Sequence, residues 1–210
     1  MDHDFWREKW SKNEIAFHEG ATNALLLRHF ARLSLQNGAR LFLPLCGKSR
    51  DIHWLLSQGL RVAGAELSKI AVEQLFAELG VTPLVERRGD VERYSAPQID
   101  IFQGDFFAVT AASLGAVEGI YDRAALVALP EPLRARYAAH LASITNAAPQ
   151  LLISYVYDQS ALAGPPFSVS DEEVRRLYGD TYKLSLLESV HVPGGLKRKC
   201  PATENVWLLH

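Results

Sequence analysis

Between Arg40 and Gly80 the chain carries the same unit twice, and this repetition restricts the available folds more than any other feature. Arg40 to Leu45 is a short apolar run, too short for a helix and apolar enough for a buried strand. A turn at Cys46-Gly47-Lys48 follows. Ser49 then stands where a helix N-cap belongs, ahead of Ile52, Leu55 and Leu56 on one face and a stop at Gly59. Leu60 to Ala65 is the second strand and Ser68 the second cap. Ile70, Ala71, Leu75 and Leu79 form the second packing face, closed by Gly80. Two strand–helix units in succession imply parallel strands joined by right-handed crossovers.

Beyond Gly80 the pattern loosens. Pro83, Gly89 and Pro97 sit among charges between Val81 and Pro97, which predicts a polar insertion or hairpin. Ile99 to Phe102 and Gly119 to Tyr121 are further strands, each running on to an acid, Asp105 and Asp122. A helix is expected over Arg134 to Ile144 and a buried strand over Leu151 to Val156. A capping box at Ser170-Asp-Glu-Glu173 opens another helix. Tyr182 to Val190 and Glu204 to Leu209 read as two final strands around Pro193-Gly194-Gly195. The sum is an α/β fold: a mostly parallel, roughly seven-stranded sheet with helices on both faces and an antiparallel C-terminal edge hairpin. Residues 1–35 carry helical patterns around Phe5 to Trp10 and Leu25 to Leu33, expected to cover one end of a 36–210 core within a single domain.

Composition removes several function classes. The 22 Lys and Arg against 24 Asp and Glu give a net charge of −2, without the cationic excess that a sequence-independent grip on nucleic acid needs. The two cysteines, Cys46 and Cys200, lie far apart, and no Cys/His spacing matches a zinc site. Two reduced thiols, no signal-peptide core and no apolar run long enough for a membrane point to a cytoplasmic protein. No heptad pattern is visible, so a monomer is expected.

In open α/β sheets ligands bind outside the carboxyl ends of the strands, near the point where strand order reverses. That rule selects Leu45 to Ser49, Glu66, Gly104 to Phe107 and Asp122-Arg123. Glu66 ends the second strand about 20 residues after the first turn, where nucleotide-binding folds place an acid on the ribose hydroxyls; otherwise it is an exposed acid before the Ser68 cap. The first turn has one glycine, not G-x-G-x-x-G. Gly47-Lys48-Ser49 matches the end of a P-loop, but position 42 is Phe where the cradle needs glycine. Such a turn suits a ligand with a ribose and no pyrophosphate, as in S-adenosylmethionine. Arg123 can hold a carboxylate or an anionic nucleophile, or simply pair with a neighbouring acid. Trp6, Trp10 and Phe17 are aromatic groups that either attract a sulfonium or belong to the core. Lys197-Arg-Lys199 is either a solvated basic run or an attractor of anions.

At these residues the chain resembles the thiopurine S-methyltransferase family. The strings are Phe5-Trp6 with Trp10, Ala16-Phe17-His18, Pro44-Leu-Cys-Gly-Lys48, Glu66-Leu-Ser68, Gly104-Asp-Phe-Phe107, Tyr121-Asp-Arg-Ala-Ala-Leu126, Ala128-Leu-Pro130 and Gly164-Pro-Pro-Phe167, in order from about residue 5 to 179. The resemblance implies a Rossmann-like class I methyltransferase with S-adenosyl-L-methionine as donor and S-adenosyl-L-homocysteine as product. It implies that Trp10 closes over the methionine end of the donor and that the Leu45 backbone contacts the donor. Glu66 binds the ribose hydroxyls, Gly104 and Asp105 border the adenine, Arg123 lies between donor and acceptor, and Phe17 packs against an aromatic acceptor. Relatives place a basic acceptor-binding residue in the stretch matching His191 to Thr203, where Lys197, Arg198 and Lys199 are candidates.

The expected acceptor is a small-molecule thiol such as a thiopurine. Arg123 favours the thiolate, Asp122 helps orient it, and neither cysteine is needed. Inorganic selenium or tellurium species, with a part in tellurite resistance, are the alternative acceptors. A nicotinamide-dependent oxidoreductase or a non-catalytic S-adenosylmethionine-binding module stands further off.

Overall fold

The computed structural model describes residues 3–15 and 18–210. Two helices precede the sheet: α1 (His3–Ser11) and α2 (Ala24–His29), the latter continued by a 3-10 turn at Phe30–Leu33. Asn23 caps α2 by accepting from the Leu25 and Leu26 N–H groups. The repeated unit follows as β1 (Arg40–Leu43), α3 (Arg50–Ser57), β2 (Arg61–Glu66) and α4 (Lys69–Leu79). Both serine caps form: Ser49 Oγ accepts from Asp51 N–H, and Ser68 Oγ from Ala71 N–H. The chain continues through β3 (Leu84–Arg88), β4 (Val91–Ala96), β5 (Ile99–Gln103), α5 (Ala111–Leu114), β6 (Gly119–Arg123) and α6 (Glu131–Thr145). It ends with β7 (Gln150–Tyr157), α7 (Asp171–Tyr178), β8 (Leu184–His191) and β9 (Ala202–Leu209).

The strands form one sheet in the order β3-β4-β5-β2-β1-β6-β7-β9-β8. The central five, β5 to β7 across β2, β1 and β6, are parallel. The C-terminal pair β8/β9 adds antiparallel to β7 as expected, with a register shift between Leu186 and Glu188. Nine strands, not seven, are present among the described residues. The extra two are the polar tract after Gly80, which folds as the hairpin β3/β4 and joins the sheet through β4 against β5. Four of the five residues of β3 are exposed, so no buried face wrote an apolar alternation into the sequence there.

Successive strand residues point to opposite faces, and the two cores follow that alternation. Phe42, Phe102, Ile120, Leu152 and Trp207 pack with Phe106, Tyr137, Leu141, Val174 and Tyr178 on the α6/α7 side. Leu41, Leu43, Val62, Ile101, Tyr121, Ile153 and Val206 pack with Leu26, Ile52, Leu55, Val72, Leu75 and Phe76 on the other. No helix among the described residues is long and apolar enough to cross a membrane.

The first turn is seated directly on β2. Cys46 N–H donates to Ala65 O at 2.9 Å. A Cβ at Gly64 would stand 2.7 Å from Cys46 Sγ and 2.8 Å from Ile101 Cδ1, so glycine lets the turn close down. Overpacking of this kind costs about 1–3 kcal/mol. Gly64→Ala is therefore expected to destabilise by that amount in urea unfolding, and Cys46→Ala to recover part of it. Additive losses in the double variant would show that the two groups do not share the space.

Candidate active site

The sheet reverses its order at β1, whose neighbours are β2 on one side and β6 on the other. Phe42 pairs with Ile120 near the carboxyl ends of β1 and β6, so the turn that follows β1 and Arg123, the last residue of β6, both lie at the switch-point edge of the sheet.

On the β2 side the first turn carries two left-handed residues, Leu45 at φ 48° and Gly47 at φ 53°. For Leu45 this conformation is unfavourable by roughly 1 kcal/mol or more. The turn is held by Glu66: its Oε2 accepts from Gly47 N–H at 2.8 Å, and its Oε1 accepts from Ser68 N–H at 2.7 Å. Burial raises the Glu66 carboxyl above its ordinary pKa, and the N–H groups of Ser68, Gly47 and Leu67 oppose that rise. A carboxylate has about four acceptor sites, so these bonds leave each oxygen able to take a hydroxyl proton.

Gly47 is also where α1 comes down. Trp10 is buried, and a Cβ at Gly47 would be 3.2 Å from its Cζ2. The same helix reaches the β5 turn, with His3 Nε2 3.8 Å from Asp105 Oδ2. That turn runs through Gly104 at φ +144°, where a Cβ would meet Val91 Cγ1 at 3.0 Å. Gly104 N–H donates to Glu66 O, and Asp105 Oδ1 accepts from Phe107 N–H at 3.0 Å. Trp10, Leu45, Glu66, Gly104 and Asp105 are thus brought together around two glycine turns with an acid between them. This cradle suits a ribose-bearing ligand held by backbone. Cys46 shares the turn, but burial pushes its thiol well above the ordinary pKa, so it offers no thiolate.

On the β6 side, strand alternation separates the neighbours Asp122 and Arg123. Asp122 follows Ile120 into the α6 core and is fully buried. It accepts from Tyr137 Oη at 2.7 Å, from Leu126 N–H at 3.2 Å and from Gln150 Nε2 at 3.4 Å. Its carboxylate therefore braces the 122–126 turn from beneath, away from the Arg123 guanidinium. Arg123 follows Tyr121 to the opposite face, where its guanidinium donates to Glu19. Tyr155 and Glu204 lie beside it, within the field of Arg123, and burial raises both of their pKa values. Phe17 lies outside the described residues. Of the basic cluster, Lys197 Nζ reaches the Pro165 carbonyl at 2.7 Å, in the Gly164–Phe167 loop.

The sequence did not reveal Glu19, Tyr155 or Glu204, nor the anchor beneath them. Asp51 Oδ1 accepts from Asn23 N–H at 2.7 Å, and its Oδ2 accepts from Tyr121 Oη at 3.1 Å. Adjoining clefts of about 320 and 380 Å³ open at the opposite edge, among Arg40, Arg61, Arg93 and Asp100. There Asp100 takes both Arg40 and Arg93, an internally satisfied ion-pair network. Among the described residues no group of three His, Cys, Asp or Glu is placed to hold a metal ion.

Burial raises Asp122 from an ordinary 3.8 to about 6, against the opposing bonds from Tyr137, Leu126 and Ala125. Folding therefore favours its protonated form. The stabilisation is complete below about pH 4 and is lost as pH rises through 6. Relative to Asp122→Asn, the wild type is expected to lose on the order of 3 kcal/mol of unfolding free energy between pH 4 and 7.5. A difference that stays flat with pH in urea titrations would mean that burial does not raise the Asp122 pKa above its value in the unfolded chain.

The family model for thiopurine S-methyltransferase matches residues 1–205. A thiopurine S-methyltransferase of Xanthobacter autotrophicus is 59% identical over 210 residues, covering 100% of this chain and 99% of that protein. One from Gluconobacter oxydans is 54% identical, covering 97% and 92%. Among solved structures, a magnesium protoporphyrin IX methyltransferase from Synechocystis with bound S-adenosylhomocysteine superposes with a TM-score of 0.67 at 12% identity, covering 100% of both chains. The chain belongs to the thiopurine S-methyltransferase family and is an S-adenosylmethionine-dependent methyltransferase of the Rossmann-like class I fold.

Proposed function

We propose that this enzyme methylates the sulfur of aromatic or heterocyclic thiols such as thiopurines. The observation that carries the proposal is Arg123: a permanently charged guanidinium, its side chain 12% exposed, at the carboxyl end of β6, the strand beside β1. It supplies a fixed positive charge where an acceptor's anionic sulfur would lie.

When bound, S-adenosylmethionine supplies an electrophilic methyl group on a sulfonium. Glu66 would hold the ribose hydroxyls through the lone pairs that Gly47 and Ser68 leave free. The Leu45 backbone would contact the donor's amino-acid end, Trp10 would close over it, and Gly104-Asp105 would border the adenine. In this scheme residues 1–35 are the cover of the 36–210 core. Arg123 would hold the acceptor as thiolate, and Phe17 would pack against its ring. Asp122 serves by fixing the turn that aims Arg123. In this reading the thiol proton would leave to solvent and the acceptor sulfur would take the methyl group, giving a neutral thioether and S-adenosylhomocysteine. Alignment of this kind can supply roughly 7–11 kcal/mol of the barrier.

Methyl-labelled donor with a mercaptopurine should give an S-methyl product by mass spectrometry. Arg123→Ala is expected to lower acceptor kcat/KM by about 10²- to 10³-fold while leaving S-adenosylhomocysteine binding nearly intact. Glu66→Gln should do the reverse, weakening S-adenosylhomocysteine binding by about tenfold or more, since it loses a charged acceptor. Donor binding without any methylated thiol would sink the thiol assignment, and methylated selenium or tellurium products would replace it.

A further inference from the structure

The Arg123 guanidinium already has an anion. Its Nη2 donates to Glu19 Oε1, across 104 residues of sequence, in the part of the molecule where the acceptor is expected. Glu19 is held there from its own side: Oε2 accepts from Asn23 Nδ2 at 3.4 Å, and Asn23 is a buried cap whose N–H is tied to Asp51. The two partners differ in exposure. The side chain of Arg123 is 12% exposed and that of Glu19 is 44% exposed. Burial works against the charge on Arg123, but its neighbours, Glu19 first, more than offset this and keep it firmly protonated. Glu19 can therefore turn to water at little cost, whereas Arg123, left alone, would be a poorly solvated cation. Glu204 adds a second carboxylate within the field of the same guanidinium.

We propose that Glu19 is a specificity-determining counter-ion, which an anionic acceptor must displace from Arg123 and which retakes the guanidinium once the acceptor has become neutral. This rests on Arg123 as the acceptor-binding residue. Its consequence follows from charge balance over one turnover. A thiolate exchanges with the carboxylate on entry at no net loss of ion pairs. The thioether formed by methylation carries no charge and cannot hold Arg123 against Glu19. An uncharged competitor of the same shape gains nothing from Arg123 at any stage. Glu19 acts through Arg123 and is a positioning residue, since no bond to the reacting atoms is required of it.

The test uses the full-length enzyme with 4-nitrobenzenethiol, whose nitro group keeps it ionised near neutral pH, and its S-methyl thioether as product inhibitor. Glu19→Gln keeps the shape and removes the charge. Calorimetric binding of S-adenosylhomocysteine checks that the variant is folded. The expected result is a KM for the thiolate lowered about 3- to 10-fold, with kcat changed less than about twofold. Inhibition by the thioether should strengthen at most slightly, because it has no charge for Arg123 to hold. Glu19→Asp, which keeps the charge on a shorter stem, should lie nearer the wild type. An unchanged or raised KM in Glu19→Gln overturns the proposal. If Arg123→Ala still lowers acceptor kcat/KM by about 10²- to 10³-fold in that case, the acceptor role of Arg123 stands alone; if it does not, both fall together.

Discussion

The Asp51 carboxylate is the point on which the rest of the site's architecture hangs. It lies in the first turn of α3, where the free N–H groups and the helix dipole favour negative charge. From there it binds the Asn23 backbone and the Tyr121 hydroxyl. Three segments that do not touch in sequence meet on one buried group: the N-terminal cover, the first crossover helix and the strand that ends in Arg123. Removing that carboxylate would leave a backbone donor and a phenol unsatisfied in the interior, a penalty of about 1–3 kcal/mol for each. The strand carrying Arg123 and the loop carrying Glu19 are thereby set in one frame.

The site divides along the sheet's own alternation. Where β1, β2 and β5 end, the lining is mostly backbone, glycine and one acid, Glu66. Where β6 ends, the lining is side chains: Arg123 paired with Glu19 of the N-terminal segment, with Tyr155 of β7 and Glu204 of β9 in its field. One residue step along β6 separates a carboxylate that braces the core from a guanidinium that faces the cover. Moving either by one position would exchange their surroundings, placing an arginine against Tyr137 and an acid against Glu19.

What could be seen in the sequence was local. Ser49, Ser68 and Ser170 all cap helices as expected, because an N-cap and its target N–H lie within three residues of each other. The strand ends at Glu66 and Arg123 were legible because burial fills whole runs of apolar residues before them. The pairings of Glu19 with Arg123 and of Asp51 with Asn23 and Tyr121 span 28 to 104 residues and leave no periodic trace. The side of β6 on which Asp122 lies was equally hidden, since a five-residue strand buried on both faces shows no alternation. The family resemblance named Trp10, Leu45, Glu66 and Arg123 as donor and acceptor contacts, but it carried nothing about Glu19.

A nine-stranded sheet has two open margins, and each is built differently. On β3 a second copy laid antiparallel about its centre would set Glu86 against Glu86 and Arg88 against Leu84, an unfavourable match at the middle of the ladder. On β8 the irregularity between Leu186 and Glu188 breaks the regular ladder, and Glu188 is engaged by Arg28 and His29 from the cover. Charge at one margin and a bulge at the other both discourage edge-to-edge growth. The wide sheet that carries the site is in this way guarded at both margins against pairing with a second copy.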